Sequence, residues 1–526
     1  MQALAQLYLA LDATRSISRK QALMVDHFRA APAEDAAWSL WLLLGHRLKR
    51  LIGAAELRAI VSARTGFSPA IIEASYAQVG DLAETIALLT DDGQPRSPST
   101  DGLARWIARL LALANADDAQ RAAVLHDAWA RLPFAERLLL TKLLTGGLRV
   151  GVSKGLAAKA LAAAFDRPES SLAARLAGDW RPSAEAFRTL VAEDDTERPA
   201  SQPYPFALAA ALDADPDTLG ACTDWQAEWK WDGIRAQLIH RQGQVFIWSR
   251  GEELMHGRFP ELEQAAAALP DGTVLDGEIL AWNEHGVMPF AALQTRIGRK
   301  KPGAKLLAST PVIFMVYDLL EHAHIDQRHL PLWQRGAPLH ALLAHRGPRL
   351  QTSAVVEAAD WSALMAARAT AREQGVEGLM LKHRDSPYHL GRKRGQWWKW
   401  KCNPRSLDAV LVYAQAGHGR RATLYTDYTL AVWKGDSLVP IAKAYSGLTD
   451  AELVAVDQWI RRHTLDRFGP VRQVVPELVF EIAFEGIQAS PRHKSGLALR
   501  FPRIHRWRQD KTADQADTLE TASLML

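Results

Sequence analysis

The chain has 526 residues, 48% of them hydrophobic and 23% charged, enough for roughly three or four folded domains of ~150 residues. The net charge of +4, from 63 basic and 59 acidic residues, is too small an excess to identify a partner, so the placement of the cations carries more information than their total. The two cysteines, Cys222 and Cys402, form no CxxC pair, which argues against a disulfide framework or a zinc module and fits a reducing, cytoplasmic compartment.

In chain order, the N-terminal MQALAQLYLALDATRS lacks a basic leader and reads as an amphipathic helix. No apolar run reaches the ~18 residues a membrane span needs. Residues 1–195 are Ala- and Leu-rich with helical periodicity, interrupted by a loop at 93–101. In LPFAERLLLTKLLTGG, Pro133 suits a helix start and Gly146-Gly147 an end, and Ser153 is placed to cap KGLAAKALAAAF. The proline-rich stretch 196–205 predicts a linker.

From 206 to 405 the pattern changes to short β runs, RAQLIH, QVFIWSR, TVLDGEILAW and TPVIFMVYDLL, alternating with helical segments, which predicts a mixed α+β domain. Residues 406–526 predict a small antiparallel β-barrel, from runs such as LDAVLVYAQ and LVFEIAFEGI, with one inserted helix, TDAELVAVDQWIRRH.

Several stretches place charge inside or beside strands. In EWKWDGIR, alternation along one strand puts Glu228, Lys230 and Asp232 on one face and Trp229 and Trp231 on the other. That pattern suits either a solvated face or a reactive lysine. A lysine nucleophile needs its neutral amine, which nearby cations promote and a carboxylate alone opposes. Downstream, SRGE offers Arg250 at a strand end, LDGEIL places Glu278 in an apolar strand, and VYDLL offers Tyr317 as core or as a platform for stacking. EGLMLK is bounded by Glu377 and Lys382, and carboxylates such as Glu278 and Glu377 are the ligand type Mg2+ prefers. GRKRGQWWKWKCNPR holds six basic residues and no acid, with Lys399 and Lys401 opposite Trp398 and Trp400, which favours a phosphate-binding strand. LRFPRIHRWRQDK near the C-terminus carries five Lys/Arg against one Asp. A GxxxxGK[ST] loop is absent, GRKKPGAK being only a near miss, and so is HExxH.

Taken in order, these stretches resemble the ATP-dependent DNA ligases of the covalent nucleotidyltransferase superfamily over nearly the whole chain. The first motif, K-x-D-G-x-R, is matched by Lys230, Asp232, Gly233 and Arg235, and SRGE, LDGEI, VYDLL, EGLMLK, WWKWK and LRFPRIHRWRQDK follow. Residues 143–165 are similar to the signature of the family's helical DNA-binding domain. The resemblance implies that Lys230 attacks ATP to carry AMP covalently, that AMP passes to the 5′-phosphate of nicked double-stranded DNA, and that the 3′-OH closes the strand. It implies Glu228 at the adenine edge and Tyr317 stacked on the base. Arg235 and Arg250 would hold ribose and phosphate, Arg394 would also bind ATP, and Lys399 and Lys401 would contact the α-phosphate. Glu278 would serve the ribose of ATP or the metal shell, and Glu377 Mg2+, with Mn2+ able to substitute. Arg500, Arg503, Arg508, Asp510 and Lys511 would orient pyrophosphate, and Arg149 and Lys154 would touch the DNA backbone.

Tyr317 stands where many relatives carry phenylalanine, and WWKWK is unusually rich in tryptophan. A monomer with no membrane association is expected. An RNA ligase or capping guanylyltransferase shares KxDGxR, but the helical region before 196 weighs against both. The full lysine and acid set weighs against a non-catalytic DNA-binding relative.

Overall fold

The computed structural model describes every residue except 50, 178–179, 194–198, 252, 418–423 and 446, together with the side chains of 170 and 174. The expected linker at 196–205 therefore lies partly outside the described residues, as does Glu252 of SRGE. The chain divides into two compact units, one formed by Met1–Leu9, His46–Leu148 and Asn403–Leu526, the other by Ala10–Gly45 and Arg149–Cys402.

All described regular structure before residue 200 is helical, from Gln2–Asp12 to Ala184–Val191. Local chemistry explains the boundaries. The Ser153 hydroxyl accepts from the Leu156 amide at 3.2 Å and starts the helix Lys154–Phe165, satisfying a donor that has no partner within the helix. Pro133 occupies the position just before the helix Phe134–Thr145, which ends at Gly146. In the first unit this helix packs on Leu82–Leu89, and in the second Ile17–Ala30 packs on Lys154–Phe165.

The second unit contains two sheets that position the candidate site. In the larger, the strands run Leu350–Thr352, Val312–His322, Thr273–Asn283, Ile234–Arg241, Gln244–Ser249. Its core includes Leu238, Leu275, Ile279, Phe314 and Val316, all fully buried. In the smaller sheet the order is Ala210–Ala211, Trp397–Lys401, Gly378–His383, Trp225–Trp229. The sequence's β runs at 234–249, 273–283 and 312–322 are thus all strands of one sheet.

Register in the smaller sheet places distant motifs side by side. Met380 faces Glu228 on one side and Lys399 on the other, while Leu379 faces Trp229 and Trp400. The second row and its neighbours pack Ala227, Trp229, Leu379, Leu381, Trp398 and Trp400 into one apolar cluster with Trp361. This accounts for much of the tryptophan in WWKWK: Trp398 and Trp400 are core on the face opposite the lysines. Gly378 permits the close strand approach, since a Cβ there would lie 2.4 Å from the Trp400 carbonyl oxygen at a φ of +137°.

One expectation fails in detail. EWKWDGIR is not a single strand: the strand stops at Trp229, where the chain turns toward Gly233. Gly233 lies so close to the Ile279 carbonyl that a Cβ would be 2.3 Å from its oxygen. Alternation therefore breaks, and Trp229 and Trp231 enter different apolar clusters.

In the first unit, the C-terminal sheet runs Ser437–Ala444, Tyr425–Lys434, Arg405–Ala416, Val471–Val474, Thr464–Phe468. The long strand Arg405–Ala416 pairs with Val479–Phe484 along its first half and with Val471–Val474 along its second, and its register against Tyr425–Lys434 shifts at Leu411/Tyr413 and Gln415/Ala416, so the sheet curls as in an OB-like fold. The inserted helix, Asp450–Arg462, buries Leu453, Val456 and Ile460 in that domain's core.

Candidate active site

Lys230 sits just past the end of Trp225–Trp229, held by its backbone. Its amide donates to the Gly378 carbonyl at 2.8 Å, and its carbonyl accepts from the Glu377 amide at 2.9 Å. Its ammonium donates to the Glu377 carboxylate, which also lies 3.5 Å from the Lys401 ammonium. Lys230 therefore pairs with an acid from a neighbouring strand end, whereas the sequence pointed to the flanking Glu228 and Asp232.

Glu228 is engaged elsewhere. It is buried and accepts from the Lys382 ammonium at 2.9 and 3.0 Å, and from Gln226 at 2.7 Å. Lys382 also donates to the Tyr317 carbonyl at 3.3 Å and lies 4.7 Å from the centre of the Tyr317 ring and 5.0 Å from that of Trp397.

Arg235 forms a two-pronged pair with the fully buried Asp276, Nε to Oδ1 at 3.2 Å and Nη2 to Oδ2 at 2.7 Å, and Nη1 donates to the Ala207 carbonyl at 2.6 Å. The Tyr388 hydroxyl donates to the same Asp276 at 2.6 Å. Burial is the largest influence on Arg235 and opposes its charge, but Asp276, Tyr317 and Tyr388 together outweigh it and hold the guanidinium protonated more firmly than usual. Burial likewise pushes the Tyr317 and Tyr388 hydroxyls well above the ordinary tyrosine value. The Arg235 guanidinium lies 5.7 Å from the centre of the Tyr317 ring, so that ring has a cation from each of two elements beside it.

Glu278 stands opposite Arg235 in the larger sheet. Its hydrogen-bond partner is the Tyr317 hydroxyl at 3.4 Å. Burial pushes its carboxyl up to about 7, against the pull of Lys230, Arg235 and Arg250, with Asp276 adding to the rise. Lys399 is shifted the other way: burial, then Lys401, Arg392, Lys230 and Arg250, lower its affinity for the proton. These mutual influences gather Lys230, Lys399, Lys401, Arg250 and Glu278 into one charged region. Arg250 is exposed there, and Arg394 is exposed in the turn before Trp397–Lys401.

The other candidates fall elsewhere. Lys154, in the helical part of the second unit, donates to the Leu176 carbonyl at 3.2 Å, and burial pushes its ammonium down to about 8, while Arg149 is exposed. In the first unit, Arg508 binds Asp408 and Asp510, and Lys511 binds Asp408 at 2.6 Å. Arg500 lies over the Phe501 ring at 5.2 Å, and Arg503 begins the strand Arg503–Trp507.

The sequence reading left Lys382, Asp276 and Tyr388 out of the site. Lys382 and Asp276 stood inside the quoted motifs EGLMLK and LDGEIL, where an ionisable residue in an apolar run was the available signal. Tyr388, in SPYHL, carried none.

No group of three or more His, Cys, Asp or Glu suited to a metal occurs among the described residues. Two carboxylates, Glu278 and Glu377, in one charged region still match the way Mg2+ is held by one or two acids together with substrate phosphates. No described helix is long and apolar enough to cross a membrane.

Three family models match the chain: the DNA ligase N terminus over residues 1–162, the ATP-dependent DNA ligase domain over 207–401, and the ATP-dependent DNA ligase C-terminal region over 421–511. A probable DNA ligase of Koribacter versatilis is 34% identical over 562 residues, 99% of this chain and 96% of the relative. One from Streptomyces avermitilis is 31% identical over 98% and 97% of the two chains, and a DNA ligase of Halobacterium salinarum 31% over 85% and 84%. The solved structure named Pmar-Lig_PreS3 shares the fold at a TM-score of 0.64 and 16% identity, covering 96% of this chain and 99% of its own. The motif order, the site they form and these relatives agree: the chain belongs to the ATP-dependent DNA ligase family.

Proposed function

We propose that the chain seals nicks in duplex DNA by way of a lysyl-AMP intermediate on Lys230, acting as a monomer in the cytoplasm. The observation that carries this reading is the register of the smaller sheet, which sets Lys230 and Glu377 beside Lys401, with Lys399 two residues away.

In the first step the Lys230 amine, having released a proton, bonds to the α-phosphorus of ATP. The bond from that phosphorus to the bridging oxygen breaks, and pyrophosphate leaves. In the second, a 5′-phosphate oxygen at the nick takes the AMP and the P–N bond breaks, returning the lysine. In the third, the 3′-OH attacks that phosphate, AMP departs, and the hydroxyl proton is released. Each step moves a phosphoryl group, which calls for alignment and charge neutralisation more than for covalent machinery. Lys399 and Lys401 supply positive charge beside the α-phosphate, and Tyr317, flanked by Lys382 and Arg235, offers its ring to the base. Glu278 and Glu377 would hold Mg2+, or Mn2+ in its place, which supplies further neutralisation of phosphate charge.

The working division is a helical DNA-binding region over 1–195, an adenylation domain over 206–405 and an OB-fold domain over 406–526. Arg149 and Lys154 are assigned to the DNA backbone, so binding should weaken with salt. Arg500, Arg503, Arg508, Asp510 and Lys511 are assigned to orienting pyrophosphate.

The test has two arms. Incubation with α-labelled ATP should label the protein, GTP should not, and Lys230→Ala should abolish the label. A nicked duplex with Mg2+ and ATP should then be sealed. Labelling by GTP alone, or labelling without sealing, overturns the reading.

A further inference from the structure

The final basic motif is built around an acid that lies outside it. Asp408, on the strand Arg405–Ala416, is only 7% exposed, and its two carboxylate oxygens accept from Arg508 Nη1 at 3.1 and 2.9 Å. Lys511 Nζ donates to the same carboxylate at 2.6 Å. The backbone of Asp408 is fixed in turn. Its amide donates to the Asp517 carboxylate at 2.7 Å, and its carbonyl accepts from the Asp517 amide at 2.9 Å. Tail residues Leu519 and Ala522 pack into the core of the same domain, so Asp408 is held by the strand on one side and the C-terminal segment on the other.

The other edge of Arg508 is different. Nε and Nη2 donate to Asp510 at 2.9 and 2.7 Å, and the Asp510 side chain is 66% exposed. A phosphate can replace an exposed carboxylate on a guanidinium edge, because both offer two oxygens in the same geometry. It cannot replace Asp408, which is buried. Lys511 spends one of its three donors on Asp408. A buried ion pair is weak support for stability in itself.

We propose that Asp408 is a positioning residue for the final motif: it fixes the inner edge of Arg508 and one donor of Lys511, so that their remaining donors present a fixed grip to the polyphosphate of ATP. This rests on the pyrophosphate role assigned to the motif above. It predicts that Asp408 matters when pyrophosphate is leaving and not when a pre-adenylated nick is being closed.

The experiment measures two steps separately in wild type, Asp408→Asn and Asp408→Glu: self-adenylation with α-labelled ATP over a range of ATP concentrations, and ATP-independent sealing of a pre-adenylated nick. Asp408→Asn is expected to slow self-adenylation at saturating ATP by at least about tenfold, as removal of a charge-orienting group does, while sealing changes by less than about threefold. Asp408→Glu keeps the charge and should recover part of the first step; it decides the matter if the asparagine variant does not fold. Equal loss of both steps, the mark of a merely structural residue, overturns the proposal, as does unchanged adenylation. Failure of wild type to become labelled would instead refute the parent reading.

Discussion

Lys382 and Glu228, separated by most of a domain in sequence, form a buried ion pair in which one ammonium bonds both carboxylate oxygens at 2.9 and 3.0 Å. They lie on the adjacent strands Gly378–His383 and Trp225–Trp229, and the same ammonium touches the backbone and ring of Tyr317. One residue thus fixes both groups assigned to the base.

Removing one partner of such a pair leaves a buried charge without its counterion. Lys382→Met should therefore cost about 3–5 kcal/mol in denaturant unfolding of the adenylation domain and weaken ATP binding. Lys382→Met combined with Glu228→Gln should be less destabilised than the sum of the single changes. Strict additivity in that double-mutant cycle would show that the pair carries no coupling.

Lys230→Arg separates charge from chemistry. Arginine can keep the contact with Glu377, so thermal unfolding should stay close to wild type. A guanidinium does not give up its proton in a protein and offers no nucleophile, so labelling from ATP should fall to background. Residual labelling in this variant would move the nucleophile to another residue.

The architecture was legible because its signals are local and periodic. The short apolar runs TVLDGEILAW and VIFMVYDLL, buried almost throughout, and the capping serine at 153 act within a few residues of themselves. The site was legible as a set of ionisable residues in apolar strands, but its pairings were not. EWKWDGIR suggested that Lys230 answers to Glu228 and Asp232, whereas the strand ends at Trp229, and the sheet register, which no single stretch encodes, gives Lys230 to Glu377 and Glu228 to Lys382. Asp276 and Tyr388 became visible only when Arg235 was seen bonded to one beside the other.

His27 predicts a response to acid. It is buried in the helix Ile17–Ala30 with its Nε2 atom unpartnered, and burial pushes its pKa down to about 4, with Asp35 opposing. An unfolded histidine takes its proton near 6.5, so between about 6.5 and 4 the unfolded state binds more protons and stability falls as pH falls. The loss should reach about 3 kcal/mol by pH 4. Amide exchange of peptides from residues 17–30 measures it locally: protection should drop between pH 7 and pH 4.5 more steeply in wild type than in His27→Leu, after correction for intrinsic rates. Equal slopes would remove His27 as the cause.

If Glu278 holds a cation as proposed, its protonation sets the pH at which the site accepts one. Its carboxyl is raised to about 7, chiefly by burial, from an ordinary 4.5. Between those values the folded chain holds a proton that the unfolded chain has lost, so this group favours the fold at low pH and opposes it increasingly as pH rises to 7. A divalent cation requires the ionised form and must displace the proton below pH 7. Affinity for Mn2+, followed by electron paramagnetic resonance with the free enzyme, should be about tenfold weaker at pH 6 than at pH 8, with proton release on binding at pH 6. Glu278→Gln should bind weakly at both pH values and lose this dependence. If wild-type affinity is flat from pH 6 to 8, Glu278 is not a ligand, and cation binding would rest on Glu377, which must first exchange its contacts with Lys230 and Lys401.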